Sequence, residues 1–369
     1  MDPQQPVLPD WSNGCVSQII PAILGADDDA RAECPLPPEV TDAHAVVVLV
    51  LDGLGWDQLQ DRRSVAPTLA SLAGGAITTV APSTTAAALT SIATGTAPGE
   101  HGVVGYRIDV DGDVMNTLSW RTPRGDARQH IVPEDFQAVE PFCGQRPVVV
   151  QNAPFRKTGF TRAHLRGTRQ HNWHTMATLS VEVRRALSNG EPFVYAYYDG
   201  IDKTAHVHGF GEYYAAELAA CDRLVSNLMT DLPRGAALVV TADHGIVDCT
   251  AGRTELDSSL FPMIRRQSGE ARFRWLHAAP GRARELTEAV TDAVGSNGWV
   301  VPVDRVIADG WFGPTVTDAA RSRLGDIAVV ARDDRWFVDP AESNSFELIG
   351  RHGGLTRGEM FVPLLSFHT

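Results

Sequence analysis

Four stretches of the chain are apolar without alternation, and each ends in a turn residue or an acid. AVVVLVLDGLG (45–55) is a β-branched run closed by Asp-Gly. RPVVVQNA (146–153), EPFVYAYYDG (191–200) and AALVVTADHG (236–245) repeat the theme. Runs of this length with no polar face predict central strands covered on both sides, as in a parallel sheet. Between them the spacing changes to a helical period. WDQLQDRRSVAPTLASLA (56–73), TTAAALTSIATG (84–95) and GEYYAAELAACDRLVSNLM (211–229) predict helices, the second with Thr at its start and Gly at its end. AITTVAPS (76–83) reads as a short strand and turn.

Strands alternating with helices predict an α/β fold: a mostly parallel central sheet with helices on both faces. Two segments break the rhythm. Residues 103–145 carry YRIDVDGDVMN, whose Asp-Gly predicts a hairpin, and 253–340 mix short strands with one helix near 281–295. Both are expected as insertions over the sheet of a single domain spanning 44–369. Residues 1–43, rich in Pro and Asp, are expected to form a leading arm.

Composition narrows the function. Of 369 residues, 32 are Lys or Arg and 45 Asp or Glu, a formal charge of −13 that opposes binding to a nucleic-acid backbone or an anionic membrane. A small anionic substrate stays open, because a bound cation reverses the local field. The five cysteines are scattered and form no Cys-x-x-Cys pair, which argues against a disulfide framework or a thiolate metal site. No segment has the length of a membrane span, and MDPQQPVLPDW lacks the basic-then-apolar order of a leader. A soluble, cytoplasmic protein is the expectation.

The polar strand ends carry the chemistry. Asp52, Asp199 with Asp202, and Asp243 follow three predicted strands, and ligands of open parallel sheets bind at that rim. Carboxylates gathered there repel unless a cation joins them. Asp202 and His206 are four apart and share a helix face; His244 follows Asp243; His352 lies among glycines in GRHGGLT. Carboxylate and imidazole donors without thiolate suit zinc, with manganese or iron as alternatives. In APSTTAAAL (81–89) three hydroxyls precede a helix. A plain N-cap accounts for Ser83 or Thr84; a nucleophile in the positive field of the helix terminus is the sharper reading.

The order LDG, a Thr-bearing turn before TG…P…HG, D-x-x-x-H, TADHG and a late HG resembles the alkaline phosphatase superfamily. Within it the pattern is closest to the nucleotide pyrophosphatase/phosphodiesterase branch, over about 45–250 and again 350–365. The resemblance implies two metal ions, one held by Asp52, Asp243 and His244 and touching the nucleophile Thr85, the other by Asp202, His206 and His352. It implies attack of the Thr85 alkoxide on phosphorus, a covalent phospho-threonine, and its hydrolysis by water. In this branch an Asn after the HG of the nucleophile region binds a phosphate oxygen; here Tyr106 stands there, and its phenol can donate one hydrogen bond. The Cys-x-Pro-x-Arg motif of the sulfatases is absent.

The expected substrate is a small phosphate ester, with a nucleotide as one option. The alternatives are a phosphomonoesterase or phosphonate hydrolase with the same site, clamped by Arg107, Arg121 or Arg253, and an inactive binding protein. Asp199 and His208 fall outside the ligand spacing, His101 is expected to be structural, and His171 and His174 to lie at the surface or a pocket edge. Trp120, Phe155 and Trp173 are candidates to stack on a base, with the core as the plainer place for aromatics. DVDGD (109–113) lacks the closing glutamate of a calcium loop and reads as a turn.

Overall fold

A computed structural model describes residues 5–25, 34–342 and 348–369; of the leading arm, residues 1–4 and 26–33 lie outside it. Seven strands form the main sheet: β1 (Ala45–Leu51), β2 (Ala73–Thr78), β3 (Val148–Asn152), β4 (Arg169–Trp173), β5 (Phe193–Tyr198), β6 (Ala236–Thr241) and β7 (Phe361–His368). Their order is β2-β7-β6-β1-β5-β3-β4. The five strands from β6 to β4 are parallel, and β7 runs antiparallel to both β6 and β2. Every residue of β1, β5 and β6 is buried, as expected for strands covered on both faces. Truncating one of their large aliphatic side chains, Leu49 for example, would cost about 2–5 kcal/mol.

The helices named below are α1 (Thr85–Thr94), α2 (Met176–Ser188), α3 (Gly200–His208) and α4 (Glu212–Asp231). All ten residues of α1 are buried, which its Ala-rich sequence permits. The first described segment is packed into the core: Val16, Ile19 and Ile20 are fully buried, and Cys15 bridges to Thr78 beside β2.

Sequence and structure part at three places. The single helix expected over 56–73 is two, Trp56–Asp61 and Pro67–Ser71, because Pro67 starts a helix rather than continuing one. β4 and β7 carry polar residues or Pro363 and lack the apolar-run signature. The first is an edge strand; the second lies between β2 and β6 and runs antiparallel to both.

The segment 107–126 forms a small antiparallel sheet whose first hairpin pairs Arg107–Val110 with Asp113–Asn116, so DVDGD is a hairpin turn. The later segment builds a four-stranded antiparallel sheet from residues 264–269, 273–278, 298–302 and 327–331. Its strands alternate between two cores. Phe273, Trp275, Ala328 and Val330 join the main core; Leu276, Ile327 and Val329 pack with Leu286, Val290 and Val294 of the helix Ala283–Val294.

Candidate metal and phosphoryl site

The register of three strands decides where the chain turns polar. Leu51 pairs with Tyr198 and Val50 with Thr241, so β1, β5 and β6 end at one level. Asp52, α3 and the Ala242-Asp243-His244 turn therefore leave from one rim. Gly53 makes the close approach possible. Its φ is +76°, and a Cβ there would meet the Cα of Asp202 at 2.9 Å. β2 runs in the same direction as β1, and its exit leads through 79–84 to Thr85, the first residue of α1. His352 follows the short strand Gly350–Arg351, which pairs with Val247–Asp248, and Ser83 bridges to Gly353.

The result brings Asp52, Thr85, Asp202, His206, Asp243, His244 and His352 together. Nε2 of His244 lies 3.4 Å from Asp52 Oδ1, 3.4 Å from Asp243 Oδ2 and 3.0 Å from Thr85 Oγ1. Nε2 of His206 is 3.2 Å from Asp202 Oδ2, and Nε2 of His352 is 3.8 Å from Asp202 Oδ1. The rings of His244 and His352 stack at 3.7 Å, and those of His206 and His352 are 5.2 Å apart. Donor atoms of Asp52, Asp243 and His244 fall within 4.8 Å of one another, as do those of Asp202, His244 and His352. His244 thus sits between the two groups.

The hydrogen bonds on the far side of each imidazole decide what faces inward. Nδ1 of His206 is 2.7 Å from the carbonyl of Gly350, Nδ1 of His244 3.0 Å from that of Gly245, and Nδ1 of His352 3.1 Å from that of Ser83. A carbonyl only accepts, so Nδ1 carries the proton and each Nε2 offers a lone pair to the site. The carboxylates match this. Asp52 Oδ2 accepts from Tyr197, and Asp243 Oδ1 accepts from the amides of Gly53 and His244. Asp52 Oδ1, Asp202 Oδ1 and Asp243 Oδ2 are buried with no hydrogen-bond partner among the described residues. Lone pairs of three imidazoles and three carboxylates converge, an arrangement that a cation stabilises and a neutral protein leaves frustrated.

The titration of these groups reflects the crowding. Burial, then the charges of Asp243 and Asp202, pushes the Asp52 carboxyl well above the usual range. Burial also raises Asp243, against the pull of His244. Burial would raise Asp202 too, but the neighbouring His206, with His352 and His244, outweighs it and draws the carboxyl down. Burial, helped by His244, drives His352 well below an ordinary imidazole.

The three hydroxyls of the turn separate. Thr84 occupies the N-cap but makes no side-chain capping bond; Ser83 Oγ donates to the carbonyl of Gly354; Thr85 Oγ1 faces His244. Two chambers open from Thr85, Asp202 and Leu118. One, of about 270 Å3, is walled by Phe155, Phe160, Leu89 and Leu165; the other, of about 730 Å3, is lined by Tyr106, Arg107, Asn116, Glu270 and Arg274.

Tyr106 lies on the larger chamber, its hydroxyl 2.6 Å from Asn116 Nδ2. Of the arginines weighed as clamps, Arg107 is held by Asp339 at 2.8 Å and Glu342 at 3.2 Å, Arg253 pairs with Glu255, and Arg121 is exposed on the chamber lining. Trp120 and Trp173 are core residues whose indoles donate to the carbonyls of Ile131 and Tyr197; Phe155 lines the smaller chamber. Asp199 pairs with Lys203 at 2.5 Å, His208 stacks on Tyr213, and buried His101 bonds Ser91. His171 pairs with Glu182 at the helix α2, and His174 is exposed.

Sequence reasoning missed Tyr197, Glu270 and Arg274. Tyr197 had a signal, because it shares a strand face with Tyr195 beside the Asp52 strand. Glu270 sits on a hairpin turn of the inserted sheet, where no periodicity marks it.

A mostly parallel α/β sheet whose strand ends gather carboxylates, imidazoles and a helix-terminal threonine defines an alkaline phosphatase-like, metal-dependent hydrolase of phosphoester bonds. The chain belongs to the type I phosphodiesterase/nucleotide pyrophosphatase family, whose model matches residues 46–355. It is similar in fold to murine ectonucleotide pyrophosphatase/phosphodiesterase 5, at 16% identity and a TM-score of 0.66 over 88% of each chain. An inactive form of that protein in complex with AMP matches with a TM-score of 0.67 at 16% identity, again over 88% of each chain. Phosphonoacetate hydrolase from Sinorhizobium meliloti 1021, in complex with phosphonoformate, matches at 19% identity and a TM-score of 0.63, over 88% of this chain and 90% of that one. No curated protein matches the chain.

Proposed function

We propose that the protein is a two-metal phosphodiesterase or nucleotide pyrophosphatase that works through a covalent phospho-threonine on Thr85. The observation that carries the reading is the convergence of three Nε2 atoms and three unpartnered carboxylate oxygens at one rim, with the Thr85 hydroxyl 3.0 Å from Nε2 of His244. Asp52, Asp243 and His244 would hold one divalent cation beside Thr85, and Asp202, His206 and His352 the other. Oxygen and nitrogen donors without sulfur suit zinc, with manganese or iron as alternatives. Bound cations would lower the pKa of the attacking hydroxyl and neutralise charge on the attacking and leaving oxygens of an in-line displacement.

The chain's own residues supply the rest. The N-terminus of α1 places Thr85 Oγ1 in a positive field, which favours its deprotonated form. Its oxygen forms a bond to phosphorus as the bond to the leaving alcohol breaks, and water then cleaves the phospho-threonine. Backbone carbonyls hold a proton on Nδ1 of all three imidazoles, so Nε2 is the atom each ring presents to a metal. Arg107 is already committed to Asp339 and Glu342, which removes one candidate clamp for the extra charge of a monoester. The five cysteines are unpaired, which suits a reducing, cytoplasmic setting.

The test is hydrolysis of bis(4-nitrophenyl) phosphate and of 4-nitrophenyl phosphate by zinc-loaded protein. The diester should be cleaved faster, chelation should abolish turnover, and Thr85→Ala should remove it. Full activity in Thr85→Ala would overturn the mechanism, and faster cleavage of the monoester would favour the phosphomonoesterase reading.

A further inference from the structure

The phosphoryl site leaves the larger chamber unexplained. It shares Thr85 and Asp202 with the smaller one, but its walls come from the two inserted segments. Four charged side chains there neutralise one another in part: Arg107 binds Asp339 and Glu342, and Arg274 lies 3.7 Å from each of the same two acids. That distance is beyond a hydrogen bond. Arg274 is fully buried, donates from Nη2 to the carbonyl of Phe337, and keeps Nε and Nη1 without a hydrogen-bond partner among the described residues.

Glu270 is the second incomplete group. It is 8% exposed and is held by the Thr84 side chain and the Tyr106 backbone, yet its Oε1 has no partner among the described residues. Its position is tightly enforced, since a Cβ on Gly353, at φ +108°, would meet the Glu270 carboxyl carbon at 2.5 Å. The inserted sheet therefore puts two residues with unsatisfied polar atoms, Glu270 and Arg274, on the lining of the chamber that reaches Thr85. Buried polar atoms in this state are costly to the fold and mark a place where a ligand completes the set.

We propose that this chamber is a second substituent subsite, in which Glu270 and Arg274 recognise a neutral, hydroxyl-bearing arm of the phosphodiester. A hydroxyl donates to a carboxyl oxygen and accepts from a guanidinium with one group. A carboxylate or phosphate arm would satisfy Arg274 but confront Asp339 and Glu342, and it offers no proton to Glu270 Oε1. An ammonium arm would confront Arg274 and Arg107. The inference rests on the phosphodiesterase reading, because Thr85 marks where phosphorus sits between the two chambers.

The test uses three 4-nitrophenyl phosphodiesters whose second arm is propyl, 3-hydroxypropyl or 3-carboxypropyl. Each is titrated calorimetrically into zinc-loaded Thr85→Ala protein, so that binding is read without turnover. The hydroxypropyl ester should bind about tenfold more tightly than the propyl ester, the worth of one well-placed hydrogen bond, and more tightly than the carboxypropyl ester. Adding Glu270→Met should erase the hydroxyl preference, and Glu270→Gln, which keeps a polar oxygen, should restore it. Equal binding of propyl and hydroxypropyl esters, tightest binding of the carboxypropyl ester, or equal weakening of all three by Glu270→Met would overturn the proposal. Lack of turnover of these esters by the unmutated enzyme would instead count against the reading of Thr85.

Discussion

Nε2 of His244 lies 3.0 Å from Oγ1 of Thr85. With Nδ1 of His244 donating to the carbonyl of Gly245, Nε2 faces Asp52, Asp243 and the threonine. If that oxygen is the nucleophile, the hydroxyl matters and the methyl does not. Thr85→Ser should keep turnover within roughly tenfold of the parent, whereas Thr85→Ala should lose about a thousandfold or more in kcat. Steady-state rates on an aryl diester decide this, with zinc content measured alongside.

Asp52 is strained in the metal-free protein by burial and by two neighbouring carboxylates. A carboxyl raised in the folded state loses stability as pH climbs from the unfolded value near 4 through the raised folded value. Asp52→Asn, which keeps an acceptor for Tyr197, should therefore raise the melting temperature of the chelated protein, and more at pH 8 than at pH 5. The same substitution should lower zinc binding and activity. Thermal melts at the two pH values, with and without chelator, provide the check; a lower apo melting temperature at pH 8 would contradict the account.

Arg272 and Glu359 form a pair that is 0% exposed on both sides, with contacts of 2.6 and 2.8 Å. Glu359 also accepts from the amide of Gly354, two residues beyond His352, so the pair ties the inserted sheet to the His352 loop. Glu359→Gln leaves a buried guanidinium without its counter-charge and should cost about 3–5 kcal/mol. Denaturant unfolding would show it; a loss under about 1 kcal/mol would mean that solvent reaches Arg272.

Tyr106 has a smaller expected role than Thr85. Asn116 donates to its hydroxyl, whose own proton has no acceptor among the described residues and can meet a substrate oxygen. Tyr106→Phe should lower kcat/KM by about tenfold, the worth of one hydrogen bond. A thousandfold loss would place Tyr106 at the level of the nucleophile.

Much of the central sheet was legible in the chain because β1, β5 and β6 are buried on both faces and so appear as unbroken apolar runs. The acids that close those runs lie at one level because parallel register aligns strand ends. β4 and β7 were hidden by being an edge strand and an antiparallel one. The inserted sheet was harder for another reason: its strands alternate between two cores, and its chemical contribution, Glu270, occurs at a single turn. The hydroxyls of 83–85 show the limit of local reading. An N-cap and a candidate nucleophile share the sequence Ser-Thr-Thr, and what sets Thr85 apart is its contact with His244, 159 residues away.

The stereochemical course at phosphorus tests the central claim most directly. Attack by Thr85 followed by water is two in-line displacements, each inverting the configuration. Hydrolysis of a chiral phosphorothioate diester in oxygen-labelled water should therefore proceed with net retention. Inversion would mean that water attacks in a single step and that no phospho-threonine forms on Thr85.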